Sequence, residues 1–237
     1  MFRQIKIKTK YLTTETQSHR DRKRQWLEFF NSFLSISVPL WFIFLSSLAP
    51  KAIAQNLFAQ PQPVKISAVS MAKQTSPGSK FVVAVTLDIQ KPWHVNGAAD
   101  MIPSDLSYLI PTQVKLADST DWLTAGQLQR PEAHVLPVTY TGSPIDLPVY
   151  EGKSVFYLPV RVNENVASGQ YNVDISVRYQ TCDDKSCLAP KTEIISLPVT
   201  VGDSQVFADA QTLAIFNTFD TNLLDNFSAS NADSAMA

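Results

Sequence analysis

Residues 171–201 read YNVDISVRYQTCDDKSCLAPKTEIISLPVTV and carry the clearest structural signal in the chain. In both halves of this stretch, apolar residues occupy every second position, a period of two that predicts β-strands with one buried face. The only cysteines of the chain, Cys182 and Cys187, lie between the two halves. We expect strands over 171–181 and 188–201 to form a hairpin in which a four-residue loop places the cysteines opposite each other. Their Cα atoms should then lie about 4.5 Å apart.

Two further runs show the same alternation, and three shorter runs are weaker candidates for strands. The long runs are residues 81–89 and 156–162, and the short ones are 64–70, 114–117 and 135–140. Turn-forming residues separate these runs, and no segment between 64 and 203 has the 3.6-residue period of a helix. Pro159 and Pro198 are expected at sheet edges or bulges, because proline cannot donate to a β-ladder. The sequence therefore predicts an all-β fold, an antiparallel β-sandwich of immunoglobulin-like type.

The N-terminal part has the features of a secretory signal. Residues 1–24 carry eight basic and two acidic side chains, an apolar run covers 33–49, and Ala52 and Ala54 form an A-x-A cleavage site. We predict a signal peptide over residues 1–54, cleaved after Ala54. An uncleaved anchor is the alternative, because the apolar run is close to the length that spans a bilayer. Either way the rest of the chain is expected in the periplasm or the cell-envelope space, with no membrane span once the signal is cleaved.

The exported part divides into three segments of different composition. Residues 55–63 are a polar, proline-containing linker, residues 64–203 are the predicted β-sandwich, and residues 204–237 form an acidic tail without Lys or Arg. The tail is predicted to be either disordered or one docking helix, since a few of its apolar residues fit one helical face. Residues after Ala54 carry 11 basic and 18 acidic side chains, a net charge of −7. This charge argues against nucleic acid as a partner, because binding to phosphates needs cations.

The position of the two cysteines favours a disulfide that takes part in thiol–disulfide exchange over one that only stabilises the fold. A disulfide that closes a loop of about six residues is worth roughly 2 kcal/mol in the chain-entropy estimate, against roughly 4.7 kcal/mol for about 100 residues. A bridge between directly facing strands is also expected to be strained and easier to reduce. A static disulfide remains an alternative. A metal site made of both cysteines with His94 and His134 is another, although the Cys-x4-Cys spacing is not that of a zinc knuckle.

The residues between the cysteines favour a passive role in exchange. Asp183 and Asp184 disfavour a thiolate at Cys182, and Lys185 offsets them only in part. We therefore expect a more acidic thiol of another protein to attack the disulfide, and the reduced pair to pass its electrons to a more oxidising disulfide. This chemistry needs no cofactor and no metal.

Four stretches of the sequence resemble one known family. They are YQTCDDKSCLAPKTEIISLPVTV from residue 179, WHVNGA at 93–98, LIPTQVKL at 109–116 and VYEGKSVFYLPVRV at 149–162. Together they look like the N-terminal periplasmic domain of the thiol:disulfide interchange protein DsbD. The resemblance covers about residues 64–203 and implies an immunoglobulin-like sandwich with a redox-active cysteine pair. In the family this pair takes electrons from a thioredoxin-like domain, itself fed by a membrane-embedded redox domain, and gives them to oxidised periplasmic proteins. It implies Cys182 and Cys187 as the redox pair, with Cys187 as the residue that forms the mixed disulfide.

The resemblance also implies a cap over the cysteines and several neighbours. In the family a flexible loop with an aromatic side chain shields the pair, and the similar stretch here is 146–152, with Tyr150 as the candidate ring. Packing of Tyr150 on the edge of the sandwich is the alternative. The remaining candidate neighbours of the cysteines are Trp93, His94, Asn96, Tyr179, Asp183 and Asp184. For Trp93, ordinary burial in the core is the favoured alternative.

Two departures from the family bear on function. Four residues separate the cysteines, fewer than in the best-known members, and residues 1–237 include neither the membrane-embedded domain nor the thioredoxin-like domain. We expect other polypeptides to supply both. The sequence thus predicts an exported thiol–disulfide exchange carrier, part of a protein-disulfide reductase system. Its donor would be a thioredoxin-like or membrane-embedded oxidoreductase, and its acceptors would be oxidised envelope proteins. The alternatives are an immunoglobulin-like binding module with a static disulfide and a metal chaperone.

Overall fold

The structure, a computed structural model, describes residues 62–140 and 142–230. The strands in these residues are β1 (Val64–Ser70), β2 (Ala72–Thr75), β3 (Lys80–Ile89), β4 (His94–Asn96), β5 (Gln113–Leu116), β6 (Leu123–Ala125), β7 (His134–Val138), β8 (Ile145–Tyr150), β9 (Gly152–Val162), β10 (Gly169–Tyr179), β11 (Thr181–Cys182), β12 (Lys191–Val201) and β13 (Val206–Phe207). Short 3₁₀ turns cover Ala99–Met101, Ser104–Leu106 and Ala214–Phe216, and α-helical turns cover Ala210–Leu213 and Asn222–Asp225. The predicted signal segment lies outside the described residues. Within them, no helix is long and apolar enough to cross a bilayer.

Two sheets share one apolar core. The first has the strand order β1-β3-β9-β6 and the second the order β13-β2-β12-β10-β5. Every pair in them is antiparallel except β2 with β12, which is parallel. Alternate side chains of β3, β9 and β10 fill the core, among them Phe81, Phe156 and Ile175, because each strand turns every second residue toward the other sheet. The domain is an all-β, immunoglobulin-like antiparallel sandwich, which confirms the predicted fold class.

A third sheet connects the main core to a smaller apolar cluster. Its strand order is β11-β4-β8-β7, and all its pairs are antiparallel. Val95 of β4 and Tyr150 of β8 belong to the main core. Leu147 and Val149 of β8 belong to the smaller cluster, against which Cys187 packs. This sheet is therefore the element that places the cysteines.

The two prolines expected at sheet edges or bulges lie instead in interior strands, each close to the point where a neighbouring strand ends. Pro159 is in β9, an interior strand between β3 and β6. Its carbonyl accepts from the N–H of Gly126 at 2.8 Å, one residue beyond the end of β6, so the missing N–H of the proline falls where β6 has ended. Pro198 is in β12, which β2 joins only at Thr200 and Val201.

The sheet formed by β1, β3, β9 and β6 is buried on both faces at its centre. The alternation in residues 81–89 predicts one buried face, but Val82 and Ala84 on the other face are also fully buried. Phe216 and Phe219 of the tail pack with them and with Tyr157 in a separate apolar cluster. The prediction of a single buried face is thus wrong for the centre of β3, because the tail covers its second face.

Polar contacts also hold the tail on this sheet. The Tyr157 hydroxyl donates to the Ile215 carbonyl at 2.6 Å. The Gln129 side chain bonds the tail twice, since its Nε2 donates to the Thr218 carbonyl at 2.9 Å and its Oε1 accepts from the Asp220 N–H at 2.8 Å. The described part of the tail therefore consists of the short strand β13 and short helical turns packed on the sandwich, where the sequence left open disorder or one docking helix.

The tail is expected to respond to acid through Asp209, which caps its first helical turn. The Thr212 N–H and hydroxyl and the Lys73 ammonium lower the pKa of the Asp209 carboxyl to about 2. A folded-state pKa below the unfolded value of about 3.9 contributes stability at neutral pH that is lost as the pH falls from roughly 4 to 2. The Asp209→Asn variant keeps a capping side chain but loses the charge. Urea midpoints should show the wild type as the more stable protein at pH 7, with most of the difference lost once the pH has fallen to about 2. A difference that stays constant with pH would argue against this role of the charge.

Candidate functional site

The hairpin that carries the cysteines leaves its sheet before it turns. β10 and β12 pair from Gly169 opposite Val201 to Tyr179 opposite Lys191, as the alternation predicts. Beyond this last pair the chain moves to the third sheet, where Cys182 of β11 lies opposite His94 of β4. The cysteines therefore sit on a short extension of the hairpin that contacts a different sheet from the rest of it.

The two cysteines face each other and are joined by a disulfide. They form an isolated antiparallel bridge with an S–S distance of 2.05 Å and a Cα–Cα distance of 4.0 Å, slightly shorter than expected. The flanking pairs are hydrogen-bonded, since Asp183 N donates to the Ser186 carbonyl at 2.9 Å and Leu188 N to the Thr181 carbonyl at 2.8 Å. The cystine thus occupies a non-hydrogen-bonded pair, where facing residues approach most closely. This confirms the predicted four-residue loop with opposed cysteines.

Asp183 organises that loop. One oxygen of its carboxylate accepts from the backbone N–H of Lys185 at 2.9 Å, and from the N–H of Ser186 at 2.7 Å. These bonds lower the pKa of the Asp183 carboxyl, because they stabilise its charged form. The side chain is therefore ionised at neutral pH and fixes a negative charge next to Cys182, while the neighbouring Asp184 is exposed. Both aspartates lie beside the disulfide, as the sequence requires, and Asp183 also has a structural part in the turn.

The two sulfur-bearing residues differ in exposure. Cys182 is fully buried, whereas Cys187 is partly exposed. Cys187 packs against the smaller apolar cluster, whose buried members are Leu106, Leu109, Val138, Leu147 and Val149. A thiolate that approaches from solvent therefore meets Cys187 before Cys182.

His94 and Tyr140 form the polar side of the cystine's surroundings. The Tyr140 hydroxyl donates to the Asp183 carbonyl at 2.9 Å and lies 3.5 Å from His94 Nε2. Burial lowers the pKa of His94 more than the nearby carboxylates of Glu151 and Asp183 raise it. The imidazole is thus mainly neutral at neutral pH and adds no positive charge that would favour a thiolate.

Asn96 of β4 lies close to the buried sulfur of Cys182. It lies at the end of β4, is fully buried, and places its Oδ1 4.0 Å from Cys182 Sγ. Its Nδ2 donates to the Ile110 carbonyl at 2.9 Å and lies 3.4 Å from Gln180 Oε1. The side chain joins the cysteine loop to the segment that precedes β5.

Two predicted site residues lie elsewhere. The stretch 146–152 is mostly strand β8 and not a flexible loop, and Tyr150 is fully buried in the main core, with its ring 5.1 Å from that of Phe156 in an edge-on arrangement. The prediction of Tyr150 as a mobile cap is therefore wrong, because its side chain points between the sheets. Tyr179 is also a core residue, and its hydroxyl donates to Glu193 Oε1 at 2.6 Å.

The histidines and acidic residues do not assemble a metal site in the part of the chain that the structure describes. No group of three or more His, Cys, Asp and Glu side chains comes together there. His94 is buried opposite Cys182, whereas His134 is an exposed residue at the start of β7. The four-ligand arrangement considered from the sequence is not formed among these residues.

Tyr140 is the site residue that sequence reasoning missed. It lies in the turn between β7 and β8, and its contact with Asp183 spans 43 positions of the chain. The stretch Thr139 to Pro144 carries turn-forming residues but no signal of a partner. Only the folded arrangement brings this turn to the cysteine loop.

Comparison with known proteins gives a fold likeness at low identity. No family profile and no curated protein matches the chain. Among solved structures, the DsbD N-terminal domain of Neisseria meningitidis in the reduced form is 15% identical over 66% of this chain and 98% of that one, with a TM-score of 0.36. The N-terminal periplasmic domain of ScsB from Proteus mirabilis is 12% identical over 59% of this chain, at a TM-score of 0.38, and the match spans 47% of that structure. A family 123 glycoside hydrolase from Clostridium perfringens reaches a TM-score of 0.33 at 9% identity, over 60% of this chain and 28% of that one.

Proposed function

We propose that the protein is a thiol–disulfide exchange carrier of the cell envelope, with Cys182 and Cys187 as its redox pair. The observation that carries the proposal is the asymmetry of the cystine, which joins a partly exposed sulfur to a fully buried one at the tip of a hairpin. A disulfide in so short a loop adds little stability. One accessible sulfur and one shielded sulfur is the arrangement that a directed exchange reaction needs.

The exchange proceeds in two balanced steps. A thiolate of a donor dithiol attacks Cys187 Sγ and forms a mixed disulfide, while the bond to Cys182 breaks and the Cys182 sulfur takes up a proton. The second thiol of the donor then attacks the donor sulfur that is bonded to Cys187 Sγ. This step releases Cys187, which takes up a proton. The donor leaves as a disulfide, and the carrier has gained two electrons and two protons. The same steps in reverse order reduce an acceptor disulfide.

The electrostatics around the pair favour the passive role in the first step. The ionised Asp183 side chain stands beside Cys182, and His94 is neutral, so nothing in this set stabilises a thiolate before the partner arrives. A donor must therefore bring its own acidic thiol. A thioredoxin-like or membrane-embedded oxidoreductase fits this requirement, and oxidised envelope proteins fit the role of acceptor.

Tyr140 takes the shielding role in this proposal. Its hydroxyl is bound to the carbonyl of Asp183, and its ring packs against the same apolar cluster as Cys187. One hydrogen bond of this kind is worth about 1 kcal/mol. A docking partner can therefore displace the ring at small cost, whereas Tyr150 would have to leave the main core.

The proposal also includes export and the extents of the segments. Residues 1–54 would direct the chain through the inner membrane, residues 55–63 would link the signal to the domain, and residues 64–203 would form the exchange domain. Residues 204–237 would then be an extension of that domain, part of which packs on its first sheet.

Trapping in the native envelope tests the proposal. In the Cys182→Ser variant the accessible Cys187 remains, but the carrier lacks the thiol that would resolve its mixed disulfide with an acceptor, so a discrete covalent adduct with an acceptor should accumulate. The Cys187→Ser variant is the matched control and should trap little, because its remaining thiol is buried. The adduct should disappear on treatment with a reducing agent before electrophoresis, because a mixed disulfide is reducible.

A redox titration separates the carrier from a binding module with a static disulfide. The carrier should show a reduction potential in the range of envelope oxidoreductases, whereas structural disulfides lie below about −300 mV. A potential below that limit, together with no trapped partner, would rule out the carrier function and leave the binding module.

A further inference from the structure

The orientation of the Asn96 carboxamide is fixed by its neighbours. Its Nδ2 donates to the Ile110 carbonyl at 2.9 Å, and a backbone carbonyl can only accept. The oxygen of the carboxamide must therefore point the other way, which removes the usual ambiguity between the two ends of an asparagine side chain. That oxygen, Oδ1, faces Cys182 Sγ at 4.0 Å.

This contact differs between the two redox states of the protein. In the disulfide, Cys182 Sγ carries no hydrogen and cannot donate, so two acceptors face each other. In the reduced protein, Cys182 is a thiol with one S–H donor. Both groups are fully buried, so no water competes well for this bond. The 4.0 Å separation is at the outer limit for a hydrogen bond from sulfur, and the sulfur gains freedom to move closer once the bridge opens.

We propose that Asn96 is a positioning residue that stabilises the reduced form of the pair by accepting a hydrogen bond from the Cys182 thiol. The bond exists only after reduction, so it shifts the redox equilibrium toward the dithiol. It also holds Cys182 as a neutral thiol and leaves Cys187 as the sulfur that attacks an acceptor. The use of this bias in electron transfer rests on the proposed function, but the bias itself does not require any protein partner.

The other hydrogen bonds of Asn96 do not produce this effect. The hydrogen bond to the Ile110 carbonyl and the bond from Thr112 Oγ1 to the Asn96 carbonyl at 2.6 Å both join β4 to residues 110–112. The disulfide closes neither of these segments. These contacts are expected in both redox states, so their contribution cancels in the redox equilibrium. Among the contacts of the Asn96 side chain, the one between Oδ1 and Cys182 Sγ is the one that gains a donor when the disulfide opens, because reduction adds a hydrogen to Cys182 Sγ and to no other partner of Asn96.

Equilibration with dithiothreitol, a small dithiol, tests the proposal on the purified protein. In this reaction the protein disulfide and the reagent dithiol exchange for the protein dithiol and the cyclic reagent disulfide, which balances two electrons and two protons. We expect Asn96→Leu to lower the equilibrium constant for reduction about fivefold, the size of one buried hydrogen bond, or about 20 mV for a two-electron couple. Thr112→Val is the matched control, because it removes the buried hydrogen bond from Thr112 Oγ1 to the Asn96 carbonyl, which does not involve the sulfur. The equilibrium constant of this variant should stay within about twofold of the wild type. An unchanged or increased constant in Asn96→Leu would overturn the proposal, as would an equal change in both variants.

A spectroscopic measurement keeps the proposal testable if Asn96→Leu does not fold. In the Cys187→Ser variant, Cys182 carries the only S–H group, so its infrared stretching band reports on this thiol alone. A hydrogen bond to Asn96 should move the band to lower frequency than that of a thiol without an acceptor. A band at the unbonded position would exclude the bond. Neither readout involves a donor or acceptor protein, so both can succeed even when the trapping experiment fails.

Discussion

Truncation after Gly202 is expected to lower the free energy of unfolding by roughly 5 kcal/mol or more, a large part of the 5–15 kcal/mol that holds a typical domain folded. The cut removes Phe216 and Phe219, both of which are almost fully buried against the first sheet. Loss of one such ring costs about 3–5 kcal/mol in comparable cores. It also exposes Val82 and Ala84 to water and removes the acceptor of the Tyr157 hydroxyl.

Urea unfolding followed by the fluorescence of the buried Trp122 measures this loss. A truncation after Ser230 is the control for shortening the chain, because it removes none of these contacts and should keep the wild-type midpoint. If the truncation after Gly202 unfolded at the same urea concentration as the wild type, the tail would have no part in the stability of the sandwich.

Two point variants test whether the tail stabilises the domain through its buried side chains or merely through its apolar content. Phe216→Ala removes a ring that is 7% exposed, whereas Phe207→Ala removes a ring that is 52% exposed on β13. The first change should cost about 3–5 kcal/mol and the second less than about 1 kcal/mol. Similar losses in both variants would indicate that the apolar content of the tail matters and its docking does not.

The strands could be predicted wherever one face is apolar and the other polar. The alternation in residues 171–179 and 195–201 predicted the two long strands of the hairpin, because a period of two is typical of strands with one buried face. The opposed cysteines were predicted from the four-residue loop between them. The short strands β4, β8 and β11 could not be found this way, since their lengths and their burial on both sides leave no period. Their pairing depends on contacts between segments far apart in sequence.

The docked tail and the ring of Tyr150 are two features that the local sequence pattern did not predict. Val82 and Ala84 are apolar residues at positions that the alternation assigned to solvent, and this was the available signal that something covers that face. Tyr150 was chosen by resemblance in sequence, which carries no information on which way a ring points. Its neighbour Val149 is equally apolar, so both faces of β8 are buried and the ring lies in the core.

In the reduced protein, Cys187 is expected to react with iodoacetamide at least about 100-fold faster than Cys182, because a fully buried thiol reacts only after local opening that costs a few kcal/mol. The partly exposed Cys187 needs no such opening beyond movement of its neighbours. The two rates can be measured separately in the Cys182→Ser and Cys187→Ser variants by mass spectrometry. The same variants in urea serve as the control, since both cysteines should then react at similar rates.

The direction of this difference determines the order of the exchange steps. A mixed disulfide forms at the sulfur that a partner can reach, and the buried sulfur is left to resolve it. Equal rates in the folded protein would mean that the hairpin tip opens readily and that either sulfur can be attacked. A faster Cys182 would reverse the assignment of the two roles. Tyr140→Ala should raise the rate of Cys187 further if the ring shields this sulfur, and it should leave the rate of Cys182 unchanged, because that sulfur is held under the tip by β4.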